Sequence, residues 1–146
     1  GPKEQDTQGV YFLSAAGKLS RADAGDIKQP NGIIGTPDGK TLYVADIGAN
    51  KTYRYDIADD GALKNRALFC ELGSDGMTID DAGNVYLTRG KAVHVFARDG
   101  KKAATIDVPE GTTNVCFGGK DGRTLFVTAG TSFYGISMRT KGAARQ

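Results

Sequence analysis

Pro37-Asp38-Gly39-Lys40-Thr41-Leu42-Tyr43-Val44 decides the fold, because its layout occurs three times. It returns as Asp81-Ala82-Gly83-Asn84-Val85-Tyr86-Leu87 and again as Lys120-Asp121-Gly122-Arg123-Thr124-Leu125-Phe126-Val127. Each copy is an Asp/Gly turn followed by a strand with an aromatic at a fixed place. Tyr43, Tyr86 and Phe126 stand 43 and 40 residues apart. That period matches a four-stranded propeller blade, roughly 40–50 residues.

The flanks of each copy agree with this reading. A short apolar strand precedes each turn: Gly32 to Thr36, Gly76 to Asp80 and Val115 to Gly118. A third strand follows: Thr52 to Ile57, Ala92 to Ala97 and Ser132 to Met138. Thr52-Tyr53-Arg54-Tyr55-Asp56-Ile57 and Val93-His94-Val95-Phe96 alternate with the period of two expected of half-buried strands. Two units carry an outer strand, Asn65 to Cys70 and Lys102 to Val108, and no stretch has a convincing helical period. Gly9 to Ser14 and Lys18 to Ala22 read as a hairpin, the two outer strands of a preceding blade. The expected fold class is therefore all-β: about three propeller blades, half of a ring. The edges left open favour association with a second copy, so ring closure by dimerisation is expected. The domain reading is a scar of tag cleavage and a disordered lead over 1–8, a half-propeller over 9–142, and a polar tail over 143–146.

Composition bounds the function. Glycine reaches 21 of 146 residues, against an average of roughly 7%, as many tight turns require. The formal net charge is +2 and the Lys and Arg residues are scattered, which argues against a nucleic-acid surface. No apolar run approaches the length of a membrane span. Cys70 and Cys116 read as two small buried apolar side chains rather than a disulfide framework. The compartment stays open, with a secreted or periplasmic protein whose signal has been removed among the options. His94, the single histidine, falls on a third strand away from the axis and is rejected as a general base. No Ser-His pairing or phosphate-binding loop is visible.

The repeat also selects candidate site residues. Asn31, Asp75 and Asn114 each stand just before an innermost strand, 44 and 39 residues apart. Inner strands line a propeller's central channel, so equivalent positions converge there. Amide and carboxylate oxygens suit a hard cation such as Ca²⁺, which takes about 6–8 oxygens. Asn-Gly and Asp-Gly are also common turn dipeptides, and that plainer reading stands beside the first. Asp46, ending a second strand, reads as a solvated carboxylate, with ligand orientation as the other option.

Gln29-Pro30-Asn31-Gly32-Ile33, Thr36 to Asp46, Asp75-Gly76-Met77 with Asp80-Asp81-Ala82-Gly83-Asn84, and Thr112-Thr113-Asn114-Val115-Cys116-Phe117-Gly118-Gly119 together resemble the SMP-30/gluconolactonase/LRE-like family. The resemblance implies a six-bladed propeller with a divalent cation, most often Ca²⁺, on its axis, and hydrolysis of sugar lactones or related esters. It implies metal-ligand roles for Asn31 and Asp75, with Asp75 also the candidate general base, and leaves Asn114 and Asp46 as channel residues. The family's glutamate ligand in a Glu-Gly-Pro context and its substrate asparagine in an Asn-Asp-Gly context have no counterpart here. Glu4, Glu71 and Glu110 stand in other contexts. The match is to the C-terminal half of the family fold alone. The functional expectation is a metal-dependent, gluconolactonase-like hydrolase of small-molecule lactones. It acts only when the ring is completed, by a second copy (a homodimer) or by the missing N-terminal half. The alternatives are a non-catalytic half-propeller that self-assembles and a scaffold that presents its loops to a protein.

Overall fold

The computed structural model describes residues 8–23 and 25–144. These residues form antiparallel sheets and contain no helix. Blade A comprises β3 (Pro30–Gly35), β4 (Thr41–Asp46), β5 (Lys51–Ile57) and β6 (Leu63–Cys70), in that spatial order. Blade B comprises β7 (Met77–Ile79), β8 (Val85–Arg89), β9 (Ala92–Phe96) and β10 (Lys102–Asp107). Blade C has three strands, β11 (Thr112–Gly118), β12 (Thr124–Ala129) and β13 (Ser132–Ser137). A separate two-stranded hairpin precedes blade A: β1 (Tyr11–Leu13) and β2 (Leu19–Arg21). These are blades of a β-propeller. The expected lead over 1–8 lies outside the described residues except for Gln8, as do the last two residues of the expected tail.

The repeated turn has a local cause. Gly39, Gly83 and Gly122 adopt φ of 68°, 84° and 71°, a left-handed backbone that only glycine takes without a Cβ penalty. In blade A the Asp38 carboxylate accepts the Lys40 N–H at 3.1 Å and the Thr36 hydroxyl at 2.6 Å. The turn thus sets the register, with Ile34 opposite Tyr43 and Tyr43 opposite Arg54.

Because side chains alternate across each strand, every blade presents one apolar face to each neighbour. Tyr43, Ala45, Phe69, Met77, Val85 and Leu87 pack between blades A and B. Tyr86, Val93, Val95, Leu125 and Val127 pack between B and C. Val10, Ile27, Val44 and Tyr55 join the N-terminal segment to blade A. Full burial of such side chains stabilises by roughly 1.5–3 kcal/mol each. The innermost strands adjoin, β7 lying against β3 on one side and β11 on the other.

The junction of the expected half-propeller and tail, residues 141–143, is paired with blade B. The Asp81 N–H donates to the Lys141 carbonyl at 2.9 Å, Ala143 N–H to Ile79 O at 3.1 Å, and Asp80 and Gly142 form a β-bridge. Residues 141–143 therefore extend blade B along the free edge of β7. These bonds satisfy backbone groups of Ile79 and Asp81 at the edge of a largely buried strand.

Cys116 also departs from its expectation. Cys70 is buried but Cys116 is exposed, because the face of β11 that carries it looks away from blade B.

Candidate functional site

The site grows from the corner where β7 begins. Ser74 is fully buried and its hydroxyl is directed at two carbonyls, Gly76 O at 2.7 Å and Thr88 O at 3.0 Å. The Gly76 N–H donates to Thr88 Oγ1 at 2.9 Å, and the Thr88 hydroxyl reaches Gly76 O at 3.1 Å and Thr113 O at 3.2 Å. This buried network fixes the backbone on both sides of Asp75 and ties it to blade C. Asp75 itself is left exposed at the end of the inner strands.

Asn31, the second residue of β3, meets Asp75 there. Its Nδ2 donates to Asp75 Oδ1 at 2.6 Å across the junction of blades A and B. The approach depends on glycine. A Cβ on Gly32 would lie 2.7 Å from Met77 Cγ, and the Gly32 N–H donates to Ser74 O at 3.1 Å.

Asn114 is close by but turned elsewhere. It packs over Gly76, where a Cβ would lie 2.6 Å from Asn114 Cα. Its Oδ1 accepts the Val115 N–H at 2.8 Å. Among the described residues no hydrogen bond joins it to the Asn31–Asp75 pair.

Asp46 is not solvated, contrary to expectation; it is 0% exposed. Its carboxylate accepts the N–H groups of Lys28 (2.9 Å), Gln29 (2.9 Å) and Ala49 (3.0 Å). Burial pushes its pKa upward, but the amides of Lys28, Gln29, Ala49 and Gly48 outweigh burial and hold it below the usual carboxylate value. Asp46 thus anchors the segment that delivers Asn31.

Asp75 opens into a cleft of about 340 Å³ lined by Ile47, Thr88, Arg89, Gly90 and Thr112. A larger cavity of about 800 Å³ lies at the other end of the inner strands, with Ile34, Met77, Ile79, Phe117 and Ala143 in its wall. The chemistry that the polar pair supports is oxygen ligation of a hard cation. Asp75 and Asn31 fit part of such a site, offering a carboxylate and an amide oxygen where Ca²⁺ takes about 6–8 oxygens. Among the described residues no three Asp, Glu, His or Cys side chains cluster to hold a metal. His94 lies on β9, the third strand of blade B.

Ser74 and Thr88 carry the site's rigidity, and sequence reasoning passed over them. A signal existed: Thr88 and Thr128 each stand two residues after the repeated aromatic, and both reach the start of β11. Thr113 Oγ1 lies 2.8 Å from Thr128 Oγ1, as Thr88 Oγ1 lies 3.2 Å from Thr113 O.

The comparisons with known proteins agree with this architecture. The family model described as SMP-30/Gluconolactonase/LRE-like region matches residues 1–131. The chain belongs to that family. It is 31% identical to a gluconolactonase of Zymomonas mobilis, over 96% of this chain and 43% of the relative. It is 34% identical to a pentonolactonase of Haloferax volcanii, over 88% of this chain and 47% of the relative. Its fold superposes on the crystal structure of a calcium-binding protein, regucalcin, from Agrobacterium tumefaciens with a TM-score of 0.77 and 26% identity, covering 94% of this chain and 54% of that one. The chain spans about half the length of the relatives it matches.

Proposed function

We propose that this chain supplies half of the active ring of a lactone hydrolase, in which Asn31 and Asp75 form part of a site for a divalent cation, most simply Ca²⁺. The observation that carries the reading is the 2.6 Å contact between Asn31 Nδ2 and Asp75 Oδ1. It joins two blades at the mouth of the inner strands, and the family membership and the lactonases among its relatives support it.

Asn31 orients the carboxylate by occupying Oδ1, which leaves Asp75 Oδ2 as the oxygen available as a base. In this reading Oδ2 accepts a proton from the water that attacks the lactone carbonyl. As the ring C–O bond breaks, the proton returns to the departing alkoxide, and the product is the open hydroxy acid. The cation, when bound, supplies polarisation of the carbonyl and a lowered pKa for a water. Ser74 and Thr88 hold the Asp75 backbone still, so the base stays in register with its target.

The incomplete donor set favours a second element in the working site, either another copy of the chain or the rest of a longer ring. The same incompleteness favours the alternative that the half-ring by itself assembles without catalysing.

The test is hydrolysis of glucono-1,5-lactone followed by pH-stat, with and without a chelator. Expected is chelator-sensitive turnover of the closed assembly that falls about 10²-fold or more in Asp75→Asn. Expected too is a rise in melting temperature with millimolar Ca²⁺ that Asp75→Asn abolishes. Chelator-insensitive turnover and an unchanged melting curve would end the metal reading.

A further inference from the structure

We infer that Arg89 is an anion-reading residue of the cleft that contains Asp75, giving that cleft a fixed polarity and a preference for sugar acids. The inference rests on the lactone reading for the class of ligand only.

The argument begins with which polar groups in the cleft are already used. Thr88 Oγ1 is engaged with Gly76 and Thr113. Thr112 Oγ1 is held by the carbonyls of Gly90 and Ala92, at 3.0 Å and 3.1 Å. Ile47 and Gly90 bring no polar side chain. Asp75 and Arg89 are the two charged groups of the lining, and one Asp75 oxygen is taken by Asn31.

Arg89 is exposed, and among the described residues its guanidinium makes no ion pair or hydrogen bond. It ends β8 on the face that also carries Val85 and Leu87, the face turned to blade A, and Asp75 reaches Asn31 across that same junction. The blade repeat supplies a control. At the equivalent strand end blade A has Asp46, buried and satisfied by backbone amides, and blade C has Ala129. Ala129 shows that a blade closes this corner without a charge, and, unlike Asp46, Arg89 has no side-chain partner among the described residues.

A guanidinium binds a carboxylate or phosphate through two parallel N–H···O bonds. With a carboxylate and an unpaired guanidinium in the same lining, a polyhydroxy chain with one anionic terminus is held by that terminus on Arg89 and kept from the reverse orientation by the charge on Asp75. The only other cation adjacent along the chain is Lys91, two residues on and exposed, which adds to the attraction without fixing geometry. The anionic group has two possible sources. One is the carboxylate released when a lactone opens; the other is an acidic substituent already present at the far end of the sugar.

The test is calorimetric titration of the full chain at low ionic strength with gluconate, glucose 6-phosphate and neutral glucose. The same titrations are repeated on Arg89→Gln and Arg89→Lys. Because Arg89 is exposed and unpaired, both variants should melt with the parent. Expected is at least tenfold tighter binding of one anion than of glucose, lost in Arg89→Gln and partly kept in Arg89→Lys. Tighter gluconate assigns the newly formed carboxylate, and tighter glucose 6-phosphate assigns the substituent. The inference is overturned if no anion binds better than glucose, or if Arg89→Gln binds the anions as the parent does. The lactone reading fails on a separate observation, a closed assembly that binds the anions yet hydrolyses no lactone.

Discussion

Three carboxylates at the same end of the inner strands carry three different burdens. Asp75 is exposed and meets Asn31. Asp46 is enclosed and accepts backbone amides. Glu110 links the end of blade B to blade C by accepting the hydroxyls of Ser132 and Tyr134, the latter at 2.7 Å, and the Thr131 N–H at 3.0 Å. Replacing Asp46 by alanine removes the acceptor of three part-buried N–H groups, which water can re-pair only in part, against about 1–3 kcal/mol for a fully buried unsatisfied group. The expected result is a loss of about 1–3 kcal/mol in urea unfolding, with Asn31 displaced. Glu110 makes a pH prediction. The Ser132 hydroxyl, then Tyr134 and the Thr131 amide, lower its pKa from an ordinary 4.5 to about 2. A depressed acid stabilises the fold at pH values above its unfolded pKa, and that contribution disappears as pH falls through the folded one. Its contribution is therefore present at neutral pH and lost between about 4.5 and about 2. Glu110→Gln should lower the melting temperature at pH 7 and flatten its fall across that window. Parallel melting curves for parent and variant would show that the contacts do not matter.

Strands approach one another here through missing side chains. Gly76 lies so close to β11 that a Cβ would meet the backbone of Asn114, at 2.6 Å from its Cα. At Gly32 the first atom met is Met77 Cγ, at 2.7 Å, part of a flexible side chain. Gly76→Ala should therefore cost more than Gly32→Ala, by about 1–3 kcal/mol for forced overpacking at the stiffer site. Equal costs in chemical denaturation would contradict the packing described. The repeat and its strands were legible in the sequence because turn glycines and two-residue alternation are local signals. The convergence of Asn31 and Asp75 was legible because a repeat places equivalent residues around one axis. Asp46 was misread because an acid at a strand end looks the same whether water or backbone amides surround it. The pairing of Lys141-Gly142-Ala143 was not foreseen because a short polar segment shows no alternation. Its pairing depends on the distant edge of β7 and on the fit of Gly142 against Phe117, where a Cβ would lie 3.0 Å from the ring Cγ. The network of Ser74 and Thr88 escaped notice because its one trace in the sequence is positional, Thr88 and Thr128 two residues after the repeated aromatic, and blade A carries Ala45 at that place.

Between blades the molecule buries continuous apolar clusters, but among the described residues its two end faces have no neighbouring blade. At one end Leu13 and Leu19, a cross-strand pair in the hairpin, are 64% and 63% exposed. At the other, Phe133 is 67% exposed and stacks on Phe126 with centroids 5.3 Å apart. Among the described residues nothing pairs with the outer edge of β13. The hairpin, for its part, has only two strands. The two ends differ, so self-association would be head to tail. Such contacts make a closed ring if the rotation per subunit closes and a filament if it does not. A chain covering about half of its relatives favours closure at two copies, with the Asn31–Asp75 pair of each facing a common axis. Light scattering after size exclusion should then give about twice 15.4 kDa. Phe133→Asp, which places a charge on the stacked face without touching the blade's inner core, should return the monomer. It should also abolish any Ca²⁺-dependent rise in melting temperature, because the cation site would again hold only one pair of ligands. A parent chain that runs at 15.4 kDa at tens of micromolar, with Phe133→Asp indistinguishable from it, would exclude the self-completed ring. The other half of the cation site would then have to come from a different polypeptide segment.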